Sequence, residues 1–282
     1  LDRFVNRPSC VFVHVPRTGG SSIWHCLSAA ALQKRRLVCD LYHESVKEHG
    51  TPAWPNEAIA CVMTLQPGAS FVIHHHTPQP LQRGSGAHRM LYATILRDPI
   101  ERFVSDVFHL RRTFRGNLLD ARMIEFVCSG WSSPLRRMMR QSPDPDPHEL
   151  LDTAAADGFF RDYYLSYFSA LLDDEPGDGW INWPNRTTDS HALRSLAVRV
   201  FRRFEVIADF TDLERAYSMI ASAFELRDVA GRLNRHLNPG HTRPAFYEWA
   251  RLRYEQLFAG DYQLLDEIAA IKNTNAVGSS SR

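Results

Sequence analysis

The stretch CVFVHVPRTGGSS, Cys10 to Ser22, constrains the fold more than any other part of the chain. Val11, Phe12, Val13 and Val15 suit a buried strand, and Ile23, Leu27, Ala30 and Ala31 recur at helical spacing just beyond it. A strand that passes through a glycine turn into a helix also builds an anion site. The first-turn N–H groups have no intrahelical acceptor, and the helix dipole favours negative charge there. Gly19 and Gly20 let the backbone approach a phosphate, Ser21 and Ser22 cap the helix or donate hydroxyls, and Arg17 adds a fixed positive charge. The plainer reading of the same residues is an ordinary strand-to-helix turn. GxxxxGK[ST] is absent, so no lysine–hydroxyl pair is placed to organise Mg²⁺, which argues against an ordinary ATPase or kinase.

Further strands are expected at Phe71–His75, Met90–Leu96 and Phe204–Ala208. The last of these leads into a helix over 212–224, with Thr211 as cap and Glu214 completing a capping box. The closing helices run from about Pro244 to Ile271, and 141–149 and 173–180 read as surface loops rich in proline, glycine and acids. Strands alternating with helices predict an α/β fold with a mostly parallel sheet, ligands lying at the carboxyl ends of the strands. A chain of 282 residues buries a substantial core, and 33 Lys plus Arg against 32 Asp plus Glu gives no global reason to expect nucleic acid as a partner. The five cysteines have no metal-ligand spacing, and Cys10 and Cys26 fall in predicted core elements. No stretch is long and apolar enough for a membrane segment. The first residue is Leu, which leaves room for an anchor or targeting segment before it.

In LYATILRDPIERFVSDVFH, Asp98 caps a helix, Pro99 takes its first position and Glu101 completes a capping box. Ile100, Phe103, Val104, Val107 and Phe108 make the buried stripe, which places Arg102, Ser105 and His109 on another face. Arg97 stands at a strand end, where its fork suits bidentate contact with a phosphate or a salt bridge to Asp98 or Glu101.

The pair FVHVPRTGGSS and LRDPIERFVSD resembles the sulfotransferases that use 3'-phosphoadenosine 5'-phosphosulfate (PAPS), especially the carbohydrate branch containing the heparan sulfate 2-O- and 6-O-sulfotransferases. Weaker likeness continues through FEVIADFTDLERAYSMI and GDYQLLDEI. The resemblance implies a three-layer, P-loop-like α/β fold with helices flanking the sheet and one sulfotransferase domain over 1–274, and the terminal residues 275–282 read as a disordered tail. It implies that Arg17, Thr18, Gly19, Gly20, Ser21 and Ser22 hold the 5'-phosphosulfate, and that Arg97 and Ser105 hold the 3'-phosphate. PAPS would be the sulfuryl donor, PAP the product, and no metal would be required. The family commonly has Lys where this chain has Arg17. Arginine can stabilise a leaving phosphate's charge but cannot readily give up a proton.

Sulfuryl transfer to an alcohol needs a base, and FVIHHHTP puts His74, His75 and His76 at a predicted strand end. Strand alternation lets His74 and His76 share a face while His75 points away, so at most two converge on a metal. Related glycan sulfotransferases place a catalytic His after a strand in this region. His76, in its H-T-P context, is the first choice of catalytic base and His74 the second, while His14 reads as a hydrogen-bonded core residue. Arg111, Arg112, Arg115, Arg136, Arg137 and Arg140 either line a groove for an acidic glycan or form solvated helix faces. Trp131, Trp180 and Trp183 either stack on sugars or pack the core, and Asn238 to Thr242 is a candidate cofactor-covering loop.

The expected function is in-line O-sulfation of a hydroxylated acceptor, a glycan before a small metabolite. A non-catalytic nucleotide- or glycan-binding module and a kinase-like phosphotransferase are the alternatives. The expected compartment is either Golgi-lumenal, with a removed anchor, or cytoplasmic.

Overall fold

The computed structural model describes residues 8–40, 70–75, 90–115, 131–141, 145–171, 189–226 and 244–279. The chain divides into two compact units, one comprising residues 1–97, 171–180 and 203–237, the other 98–170, 181–202 and 238–282.

The first unit is built on strands β1 (Ser9–Val13), β2 (Leu37–Asp40), β3 (Phe71–His75), β4 (Met90–Leu96) and β5 (Phe204–Asp209). They pair in the order β2-β3-β1-β4-β5, every pair parallel. β1 is buried along its whole length, as the near-continuous apolar runs of a parallel sheet require. Helix α1 (Gly20–Gln33) follows β1. One face carries Cys10, Phe12, Val72, Leu91, Ala93, Ile95, Val206 and Ala208, and α1 packs there through Ile23, Leu27, Ala30 and Ala31. These alternate along the strands with period two, as expected for one side of a pleated sheet.

The second unit is helical. Its elements are α2 (Pro99–Arg115), α3 (Ser133–Gln141), α4 (Pro147–Ala156), α5 (Tyr163–Ala170), α6 (Ser190–Phe201), α8 (Pro244–Tyr254) and α9 (Ala259–Ser279). Helix α7 (Leu213–Ala223) belongs to the sheet unit, where Leu213, Ala216, Ile220 and Ala221 pack on the same face as α1. The stripe Ile100, Phe103, Val104, Val107 and Phe108 forms the centre of the helical unit's core with Leu135, Leu150 and Phe258. The backbone of α9 is helical through Ser279, into the segment read from the sequence as a tail.

One local expectation is corrected. Helix α7 is capped by Asp212, whose side chain accepts from the Arg215 N–H, and not by Thr211. A 3₁₀ turn, Phe210–Asp212, comes first, and Asp209 caps that turn through the Thr211 N–H. Arg102, on a face of α2 other than the apolar stripe, is nevertheless fully buried, bonded to Asp106 at 3.2 Å with its guanidinium 3.7 Å from the Tyr163 ring centre. Aromatic stacking and an i,i+4 carboxylate provide part of what a buried guanidinium needs.

Candidate functional site

The order β2-β3-β1-β4-β5 fixes where a ligand crevice lies. The chain leaves β1 towards β2 on one side and leaves β4 towards β5 on the other, so the sheet's switch point is between the carboxyl ends of neighbouring β1 and β4. The two sequence motifs end there. Arg97, the residue after β4, donates from Nη1 to the backbone oxygen of Arg17 at 3.4 Å. Its guanidinium lies 4.3 Å from the centre of the Phe210 ring. That stacking holds the charge over an apolar surface while leaving the planar fork's edges to other partners.

The loop after β1 is shaped by its backbone. Arg17 (φ 68°) and Gly19 (φ 76°) both occupy the left-handed region. Alternating hands of this kind turn successive N–H groups towards one concave side. Thr18 is fully buried, and its hydroxyl donates to the Val15 carbonyl at 2.8 Å, closing the turn. Gly19 is the cap of α1, and its carbonyl accepts from the N–H groups of Ser22 and Ile23. No side-chain cap is present, so Ser21 and Ser22 belong to the first helical turn instead of capping it. Ser21 is exposed and Ser22 half-buried. Helical geometry gives the N–H groups of Gly20 and Ser21 no acceptor within the helix.

Gly20 has a second reason to be glycine. A Cβ there would overlap the imidazole of His14, with Nε2 only 2.5 Å away. His14 is 4% exposed and its Nδ1 lies 2.9 Å from Nε2 of His74, itself 5% exposed. Nδ1 of His74 lies 3.1 Å from Oδ1 of Asp40. The Trp24 indole stacks on the His74 ring at 4.5 Å and donates its N–H to the other oxygen of Asp40 at 3.1 Å. Both nitrogens of His74 are therefore engaged inside the sheet unit. The reading of His14 as a hydrogen-bonded core residue agrees with this packing. Asp40 was not singled out in the sequence, where its only signal is an acid closing the short run LVC.

His76, the first-choice base, lies outside the described residues, as do Trp180, Trp183 and Asn238–Thr242. His75 ends β3. Ser105 is half-buried on α2 in the helical unit, where Asp98 Oδ1 accepts from the N–H groups of Ile100 and Glu101 to cap that helix. Trp131 is 3% exposed and packs edge-on against Phe114 at 5.4 Å, so it is a core residue. Arg111 is buried and bonded to the carbonyls of Met138 and Met139 near the end of α3, whereas Arg112, Arg136, Arg137 and Arg140 are exposed. Among the described residues no helix is long and apolar enough to cross a membrane.

Cys10 and Cys26 are buried, and burial pushes the Cys10 thiol up to about 11 despite the nearby Arg36. Neither has the lowered value of a reactive thiolate.

In comparisons with known proteins, no family model matches the chain and no curated protein matches it significantly.

Proposed function

We propose that the protein is a PAPS-dependent O-sulfotransferase with a P-loop-like sheet unit, acting on a carbohydrate hydroxyl. The observation that supports this most is the meeting of Arg97 and the Arg17 carbonyl at the β1/β4 switch point, beside the start of α1. An anion with phosphates at both ends suits such a place. One end faces the loop and first helical turn, and the other the guanidinium at the β4 end.

PAPS supplies an activated sulfuryl group. The acceptor oxygen attacks sulfur as the bond from sulfur to the 5'-phosphate oxygen breaks, releasing PAP, and the acceptor proton passes to a histidine. His76 is assigned that role, because both ring nitrogens of His74 are engaged with Asp40 and His14. Arg17 and the loop N–H groups stabilise charge on the leaving phosphate, and Arg97, with Ser105 from the same motif, anchors the 3'-phosphate. A nucleotide- or glycan-binding module without turnover is the second reading, favoured by Arg17 standing where the family commonly has lysine.

Calorimetric titration with PAP, adenosine 5'-phosphate and ATP, with and without Mg²⁺, tests the assignment. Metal-independent binding that requires the 3'-phosphate is expected. Mg²⁺-dependent ATP binding indifferent to the 3'-phosphate would move the protein to the kinases. PAP binding without transfer to any acceptor in a broad panel of glycans and small alcohols would favour the binding module.

A further inference from the structure

The second motif sets two acids beside the residues that the sulfotransferase reading gives to a phosphate. Asp98 follows Arg97 directly in the chain, and Glu101 stands in the first turn of α2, the helix that carries Ser105. Backbone donors do not offset these charges towards an anion, because they are already taken. Pro99 has no N–H, Asp98 Oδ1 accepts from the N–H groups of Ile100 and Glu101, and the Asp98 carbonyl accepts from Arg102 at 2.9 Å. The start of α1, by contrast, has no side-chain cap. A phosphate near the start of α2 is therefore held by side chains, and their charge balance decides whether it is admitted.

The counter-charge comes from the closing helices. Arg251, an exposed residue of α8, donates from Nη2 to Asp98 Oδ2 at 3.1 Å, and Tyr262 of α9 donates its hydroxyl to the same oxygen at 2.9 Å. The Asp98 charge, and more weakly that of Glu101, tightens the hold of Arg251 on its proton. Burial and then Asp98 push the Tyr262 phenol up, so it remains a donor. Arg102, the next cation along α2, is buried and paired with Asp106.

We propose that Arg251 is a positioning residue for the 3'-phosphate: acting through Asp98, it cancels the charge of that carboxylate while Tyr262 holds the carboxylate in place, so that an acidic helix start admits a phosphate. The proposal rests on the sulfotransferase reading, which gives Arg97 and Ser105 to that group. Without Arg251, Arg97 stands alone against Asp98 and Glu101. Helix α2 keeps its place without these contacts, since the Phe103 ring packs against Tyr254 and Phe258 at 5.8 and 5.2 Å.

The experiment is calorimetry of PAP and adenosine 5'-phosphate on the full chain, in wild type, Arg251→Gln, Asp98→Asn and Tyr262→Phe. Arg251→Gln should weaken PAP by about 3- to 10-fold, the scale of one partly screened charge, and leave adenosine 5'-phosphate within about 2-fold. Tyr262→Phe should act in the same direction by a smaller factor. Asp98→Asn keeps an oxygen for the Ile100 and Glu101 N–H groups and removes the charge, so it should tighten PAP. Cutting a merely structural contact would not strengthen binding of one nucleotide and spare the other.

Equal effects of Arg251→Gln on both nucleotides, or none on either, would overturn the proposal. Unchanged or weaker PAP binding by Asp98→Asn would overturn it too, and that variant decides the matter even if Arg251→Gln does not fold. A wild type that needs the 3'-phosphate, with variants that do not respond, removes this proposal alone. A wild type indifferent to the 3'-phosphate removes the sulfotransferase reading and the proposal with it.

Discussion

Asp162 and Asp261 each cap the helix that the other stands at the start of. Asp261, in the first turn of α9, accepts the Leu165 N–H of α5 at 3.0 Å, while Asp162, just before α5, faces the N–H groups of Gly260 and Asp261. Asp162 Oδ1 and Asp261 Oδ2 are buried without a hydrogen-bond partner among the described residues. Burial, reinforced by Asp162, pushes the Asp261 carboxyl up to about 7, against the pull of the Leu165 N–H and Arg102. The folded state therefore binds this proton more tightly than the unfolded state does. The stability it contributes is fully present below the ordinary value of 3.8 and is lost as pH rises through about 7. Urea unfolding at intervals from pH 5 to 8 should show stability falling by up to about 1.4 kcal/mol per pH unit below pH 7. Asp261→Asn keeps an acceptor for Leu165 and should flatten the profile. An unchanged slope in that variant would assign the titration to another group.

Arg102 is the largest fully buried side chain, and its Nε and Nη2 have no hydrogen-bond partner among the described residues. Truncating it removes the ion-pair partner of Asp106 and the guanidinium stacked on Tyr163, so Arg102→Ala should destabilise the protein by about 3–5 kcal/mol. The double change Arg102→Met, Asp106→Leu should recover most of that loss. Urea midpoints of the two variants decide it, and equal losses would show that the guanidinium's own contacts, the Tyr163 ring included, outweigh both volume and charge pairing.

How much of this was legible follows the range of the interactions. Phe71–His75 and Met90–Leu96 have the same ends in sequence and structure because short β-rich runs bounded by breakers are local signals. β2 was missed: it is four residues long, with Leu37 exposed and no alternation to detect. The burial of Arg102 was not legible, because it depends on Tyr163, sixty-one positions away. The line from Asp40 to His14 could not be read either, since it depends on the parallel register of β1, β2 and β3. The meeting of Arg17 and Arg97 was legible only as two motifs, and the strand order supplies their adjacency.

The two loop glycines should fail differently. Gly19 has φ 76°, and a Cβ there would be 3.0 Å from both Leu213 and Phe210, so Gly19→Ala combines backbone strain with tight packing. Gly20→Ala meets the His14 ring and should cost about 1–3 kcal/mol by overpacking. His14→Ala should relieve that second clash but not the first. Denaturation of the two double variants separates them, and equal rescue of Gly19→Ala would contradict the geometry.

Phe210 supports Arg97 without itself offering charge to a phosphate. On the sulfotransferase reading, Arg97→Ala should weaken PAP binding by 10-fold or more, and Phe210→Leu by a smaller factor, since the guanidinium remains but is less fixed. Adenosine 5'-phosphate, which lacks the 3'-phosphate, should feel Arg97→Ala much less. Equal losses for both nucleotides would place Arg97 away from the 3'-phosphate.

The two candidate bases should also separate kinetically. A general base that accepts the acceptor proton acts in the transition state, so His76→Ala should preserve PAP affinity and lower kcat by about 10²–10⁴-fold. His74 has a different position: its ring is covered by Trp24, and its nitrogens face Asp40 and His14. His74→Ala should therefore lower thermal stability and disturb PAP binding together with turnover, because it opens the space beneath the first turn of α1. His74→Gln, which can still bridge Asp40 and His14, should recover binding more than alanine does. Steady-state rates with labelled PAPS, alongside calorimetric PAP affinities, distinguish the two. If His76→Ala turned over at a near-normal rate while His74→Ala folded, bound PAP normally and lost turnover alone, the base would be His74.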